Sequence, residues 1–152
     1  MARTKSSVVG IDIGSQSIKV AELKMQGGQP TLTALGIAET PPGAVDHIGI
    51  HDLEPVGLIV RQLCGSSGAG TSEAVVSVPG WGSVLVRTLE VPNMNASELR
   101  QQMDWEVTRN IPFAESDVVS DFQAFPPKAA DAQNIDVVMA ISPQSKIQDM
   151  VR

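Results

Sequence analysis

Within Val8-Val9-Gly10-Ile11-Asp12-Ile13-Gly14-Ser15-Gln16-Ser17-Ile18-Lys19-Val20-Ala21-Glu22-Leu23, six residues could do phosphate chemistry: Asp12, Gly14, Ser15, Gln16, Ser17 and Lys19. The run reads as two β-strands joined by a tight turn. Glycine lets a backbone approach an anion closely, turn N–H groups can point at it, and lysine adds a positive charge. An aspartate set in an apolar run is costly unless it has a task, such as orienting a metal ion or a water.

The elements that must hold this hairpin open the chain. Three extended segments are expected at 8–14, 17–25 and 31–39, with Gly27-Gly28-Gln29-Pro30 as a hairpin loop. A β-meander before any helix is unlike a Rossmann or P-loop domain, which starts strand, loop, helix. After a Pro- and Gly-rich loop at 41–51, a helix is expected with Asp52 as N-cap and Pro55 in its first turn. Leu53, Val56, Ile59, Val60 and Leu63 mark its apolar stripe. Cys64 lies on that stripe and reads as a buried structural thiol. Gly65 to Gly70 reads as a plain loop between helix and strand, since no Gly-Lys-Ser/Thr follows it. Glu73 to Val78 then reads as a buried strand closed by Pro79-Gly80.

A second module begins near Val84. A strand from Val84 to Val91 leads into a helix with Asn95 as N-cap and Glu98 completing a capping box. Leu99, Met103 and Val107 form the helix's core stripe, so Trp105 should point elsewhere. The helix should end near Asn110, before Pro112. Strands are expected from Val118 to Phe125 and from Ile135 to Ile141, around a polar, Ala-rich loop at 126–134. Ser142-Pro143 reads as a helix start, with serine as the cap and proline at the first helical position. The sequence stops about three turns later, and the expectation is a shortened chain.

Composition removes several function classes. The 152 residues carry 11 basic and 17 acidic side chains, a net charge of −6, and only 3% aromatics with no tyrosine. No basic cluster exists to bind a nucleic-acid backbone and no aromatic platform to stack bases. No apolar run approaches a membrane span, the start lacks the pattern of a signal peptide, and one cysteine cannot form an intrachain disulfide. The reading is a cytoplasmic protein with no direct membrane insertion. His47 and His51 stand four apart amid proline and glycine with no third ligand in view, so a metal site is not expected there. No Ser-His-Asp or Cys-His pattern supports covalent catalysis.

The hairpin resembles the first phosphate motif of the actin, Hsp70 and sugar-kinase superfamily, in which two RNase-H-like domains clamp ATP between two such hairpins. The second module narrows the resemblance. Val86-Arg87-Thr88-Leu89-Glu90-Val91-Pro92, Glu98-Leu99, Trp105-Glu106, Ile111-Pro112-Phe113 and Asp121-Phe122-Gln123 occur in order. Together they resemble the PilM family of type IV pilus assembly proteins, itself similar to the cell-division protein FtsA. The resemblance runs from Val8 to Ser142. One departure is Asn110, where a tyrosine is common in the family.

That resemblance implies an α/β (α+β) chain: an actin-like, RNase-H-like subdomain 1A over 1–80, an inserted small α+β subdomain 1C over 81–140, and a final helix at 141–152 returning to 1A. It implies a scaffold of the cytoplasmic inner-membrane platform, peripheral to the membrane through its partners. Asp12 would sit near the nucleotide's Mg and touch it indirectly. Gly14, Ser15, Gln16 and Ser17 would contact phosphates, and Lys19 would add charge. The second hairpin and the adenosine-binding glycines belong to parts of the family pattern absent here. ATP and Mg are therefore expected in the full-length form, which could be a weak ATPase, and not in this chain alone. The family further implies a groove between 1A and 1C for the cytoplasmic N-terminal peptide of the bitopic membrane protein PilN. Trp105, Glu106 and Arg109 are the candidate partner surface, with Ile111 and Phe113 expected to pack internally. Other pilus platform proteins and a homo-oligomer are further implied partners. The alternatives are an FtsA-like membrane-associated filament protein and a sugar-kinase-like phosphotransferase.

Overall fold

The computed structural model describes residues 6–78, 84–110, 117–129 and 132–151. The chain divides into two units, one reaching residue 79 and one running from 80 to 151. Both are mixed α/β, with two sheets and three helices among the described residues.

In the first unit, β1 (Ser7–Ile13), β2 (Ser17–Gln26) and β3 (Gln29–Glu39) form the expected meander. The loop between β2 and β3 is only Gly27 and Gly28, both at positive φ. Two such glycines suit a tight hairpin whose twist matches that of its strands. Pro30 therefore sits inside β3, an edge strand, where a missing N–H is tolerated. The sheet order is β3-β2-β1-β4, with β4 (Ala74–Val76) parallel to β1. This last strand is shorter and more exposed than its apolar sequence suggests, because among the described residues it pairs with β1 alone.

Helix α1 (Leu53–Ser67) covers one face of that sheet. Asp52 takes the N-cap position with extended backbone, but its side chain makes no capping hydrogen bond. The helix runs through Gly65, Ser66 and Ser67, which the sequence places in a loop, and ends at Gly68 in the left-handed region. The N–H groups of Gly68 and Ala69 donate to the carbonyls of Gly65 and Cys64, a Schellman closure. Gly36 on β3 lets α1 come close: a Cβ there would lie 3.2 Å from both Leu63 and Val20 side chains. Val9, Ile18, Val20, Val56 and Leu63 make the core, with Cys64 half-buried against it. No aromatic residue occurs before Trp81, so this core is wholly aliphatic. On the sheet's opposite face Leu23, Leu35, Ile37 and Val75 are exposed.

One acidic side chain lies on the core face of the sheet. Glu22 has no solvent exposure. The β2–β3 register shifts beside it, leaving Thr33 unpaired in the ladder. The Thr33 hydroxyl donates to Glu22 Oε2 at 2.6 Å, and the N–H groups of Gly70 and Thr71 both donate to Oε1 at 2.9 Å. Lys24 Nζ stands 3.2 Å from Oε2. These bonds, led by that from Thr33 and opposed by burial, hold the Glu22 pKa down at about 2.

In the second unit, β5 (Leu85–Pro92) and β6 (Val118–Ala124) flank β7 (Asn134–Pro143) in an antiparallel sheet of order β5-β7-β6. Helix α2 (Ala96–Asn110) opens with the expected capping box. Asn95 Oδ1 accepts from the N–H groups of Ser97 and Glu98, and Glu98 Oε2 accepts from the Asn95 N–H. Leu99 and Met103 enter a core with Val91, Ile135, Val137, Met139 and Ile141, and Val107 packs at its margin.

The final helix departs from expectation at its start. Ser142 is buried inside β7 and does not cap α3 (Gln144–Met150); Pro143 holds the cap position. The ladder with β6 continues to the Val118–Pro143 pair, so the strand outlasts the serine. α3 lies against β7 and β6. Its first N–H donates to the Asp117 carbonyl, which fixes its direction as β7 ends. Ile111 and Phe113, expected to pack internally, lie outside the described residues.

Glu22→Gln should destabilise the first unit at neutral pH. A carboxylate with a lowered folded pKa contributes stability above its unfolded pKa, near 4.5, and loses it as pH falls through about 2. The gap in urea midpoint between parent and variant, followed through β1–β3 amide resonances, should therefore narrow from pH 5 to pH 2.

Candidate functional site

The six candidate residues of the hairpin are brought together by β1, β2 and the turn between them. Asp12 and Lys19 face each other directly in the β1–β2 register, on the sheet face away from α1. Lys19 Nζ donates to Asp12 Oδ2 at 2.9 Å. The second oxygen, Oδ1, accepts from the Ser77 hydroxyl at 2.9 Å. Ser77 arrives through β4: its N–H donates to the Ile11 carbonyl as the β1–β4 ladder ends. Lys19 first and Ser77 second lower the Asp12 pKa below the ordinary carboxylate value, partly opposed by burial. Both charged side chains remain about half exposed, 47% for Lys19 and 54% for Asp12, so the pair contributes little to stability.

The turn is fastened from outside. The Gly14 N–H donates to the Ser17 carbonyl at 3.1 Å, and Thr40, just past β3, holds both sides. Its hydroxyl donates to the Gly14 carbonyl at 2.6 Å and its N–H to the Gln16 carbonyl at 3.1 Å. Thr40 is buried, while Ser15 and Gln16 are exposed at the tip. Gly14 serves through close approach: a Cβ there would meet the Ser17 carbonyl at 3.1 Å.

This arrangement offers an exposed turn beside an ammonium and a carboxylate. It can take an anion at the turn and orient a hydrated cation at Asp12. No group of three or more His, Cys, Asp or Glu side chains suited to a metal occurs among the described residues. A lone carboxylate still fits Mg²⁺, which keeps several waters and takes one or two carboxylates together with substrate phosphates. His51 instead pairs with Asp46 at 2.9 Å, and Asp46 also accepts from the Ile48 and Gly49 N–H groups, so the two close a loop. Ser77 and Thr40 were not visible as site residues in the sequence. Each is distant along the chain, and only the pairing of β4 with β1 and the return of β3 bring them in.

On α2, Trp105 projects from the core stripe and is 53% exposed. The Arg109 guanidinium sits 4.4 Å from its ring centroid, a cation–π contact one helical turn along. Glu106, half-buried, accepts from the Gln102 amide at 3.2 Å. The three candidate partner residues thus lie within one turn of α2, two of them stacked on each other.

A family model described as type IV pilus assembly protein PilM matches residues 10–152, which takes in both regions. The chain belongs to the PilM family. A solved structure titled PilM-PilN type IV pilus biogenesis complex is similar to this PilM-family chain, with a TM-score of 0.79 and 25% sequence identity. The match covers 95% of this chain and 42% of that one, so the chain spans well under half the length of that relative. The cytoplasmic domain of EpsL, an inner-membrane component of the type II secretion system of Vibrio cholerae, matches with a TM-score of 0.49 at 12% identity, over 96% of this chain and 51% of that domain. No helix among the described residues is long and apolar enough to cross a membrane.

Lys19→Met and Ser77→Ala should each raise the Asp12 pKa towards its ordinary value of 3.8, the lysine change more, since its bond is the larger cause. Carboxyl carbon shifts followed by NMR between pH 2 and pH 6 would measure both.

Proposed function

We propose that this chain serves type IV pilus assembly as an actin-like scaffold, with the first unit as subdomain 1A and the second as inserted subdomain 1C. The observation that carries this reading is the similarity to the solved PilM-PilN type IV pilus biogenesis complex over nearly the whole of this chain. The partner is a PilN-like cytoplasmic N-terminal peptide, and through it the protein sits at the inner membrane beside other platform proteins. The exposed Trp105, stacked by Arg109 and next to Glu106, supports a contact surface on α2. A large aromatic already ordered by its neighbour loses little freedom on binding, and such residues carry much of an interface's energy. A homo-oligomer is part of the same proposal.

The hairpin is read as one wall of a nucleotide site, with Gly14 to Ser17 and Lys19 for phosphates and Asp12 for hydrated Mg²⁺. When bound, the metal supplies charge neutralisation between phosphate oxygens. Asp12 orients its waters, Lys19 offsets phosphate charge, and Thr40 keeps the turn in shape.

Two outcomes test these readings. A fluorescent peptide from the PilN N-terminus should bind the chain by anisotropy, and Trp105→Ala should weaken it by roughly tenfold or more; no binding to folded protein overturns the partner reading. Calorimetry with Mg-ATP should show no affinity of micromolar or better, because one wall leaves the nucleotide largely solvated. Millimolar Mg-ATP should nevertheless shift the amide resonances of residues 12–19, and unmoved resonances would sink the nucleotide reading.

A further inference from the structure

The cation nearest to the Asp12 carboxylate is the chain's own lysine. Lys19 Nζ holds Oδ2 and the Ser77 hydroxyl holds Oδ1, both at 2.9 Å, so neither oxygen is left without a partner. A hydrated divalent cation approaching Asp12 finds one acceptor position of each oxygen already engaged, that of Oδ2 by an ammonium. It would also meet like charge at short range, since Lys19 lies directly across the ladder. Ser77 is neutral and poses no such conflict. Lysine is well suited to leave, being a point charge on a flexible four-carbon stem, here half exposed. The anion that would draw it off is one bound at the adjoining turn, whose exposed tip, Ser15 and Gln16, lies between Asp12 and Lys19 in the sequence.

We propose that Lys19 is a built-in competitor for the metal at Asp12, keeping divalent cations off the carboxylate until a polyphosphate takes the ammonium. Metal and phosphate then load as a coupled pair, each raising the affinity for the other, as linkage requires. The coupling rests on the nucleotide reading above, but the competition between lysine and metal does not, and the two fail separately.

The test uses the whole chain and Mn²⁺ alone, read by paramagnetic broadening of amide resonances around residues 12–19. Lys19→Met and Lys19→Gln should both bind Mn²⁺ at this hairpin more tightly than the parent, by up to roughly fivefold, the range expected for releasing one exposed ion pair. Adding Asp12→Asn to either variant should abolish the gain. Lysine variants that are folded by amide spectra yet no tighter than the parent overturn the proposal, as does a gain that survives Asp12→Asn. Failure of millimolar ATP to move the hairpin resonances of the parent would remove the nucleotide reading while leaving the Mn²⁺ result to decide the competition.

Discussion

The carboxylate of Glu22 ties the first unit together. A charge on the core face of a sheet is costly unless it is fully hydrogen-bonded, and a partner lost there leaves a strong penalty. Here the bonds come from three separate places: the unpaired Thr33 of β3, the loop after α1 through Gly70 and Thr71, and Lys24 on the same strand. The loop so anchored leads into β4. The Thr71 hydroxyl accepts from the Glu73 N–H, and the Glu73 carbonyl accepts from the Val9 N–H. That sequence of bonds sets β4 beside β1 in parallel and delivers Ser77 to Asp12. The geometry of the exposed site therefore descends from a buried acid on the other face of the same sheet.

The hairpin and α2 divide two kinds of chemistry between the units. At the hairpin, backbone and small polar groups are held by Thr40 and the ladder, with the charged pair left in solvent. On α2, a rigid capping box and an apolar stripe fix the helix, so Trp105 and Arg109 can remain outside its core. Both features lie within the residues that the PilM family model matches, and the chain covers less than half of the relative it resembles.

What could be read in advance was local. Asp12 and Lys19 stand seven apart around a Gly-Ser turn, and the Asn95–Glu98 box and the Leu99, Met103, Val107 stripe depend only on spacing along one helix. Glu22 escaped notice because its alternation with Val20 and Ile18 looks like a polar break in a strand, and two of its partners, Thr33 and Gly70, lie 11 and 48 residues away. Ser77 and Thr40 escaped for the same reason. The overrun of α1 through Gly65 shows tertiary packing and a good C-terminal closure outweighing the weak helix propensity of glycine and serine. Ser142 looked like a helix cap because Ser-Pro often is one. Pairing with β6 kept it in the sheet instead.

The all-aliphatic first core has an optical consequence. Every phenylalanine and tryptophan follows residue 79, and the chain has no tyrosine. Ultraviolet emission from this protein is therefore a property of the second unit, coloured in part by a guanidinium resting on the Trp105 ring. The unit bearing the hairpin is dark. It could unfold, close on an anion or lose its buried acid without changing the quantum yield of any native chromophore within it. The same darkness makes it a clean background, since one tryptophan introduced near the turn would report from that unit alone.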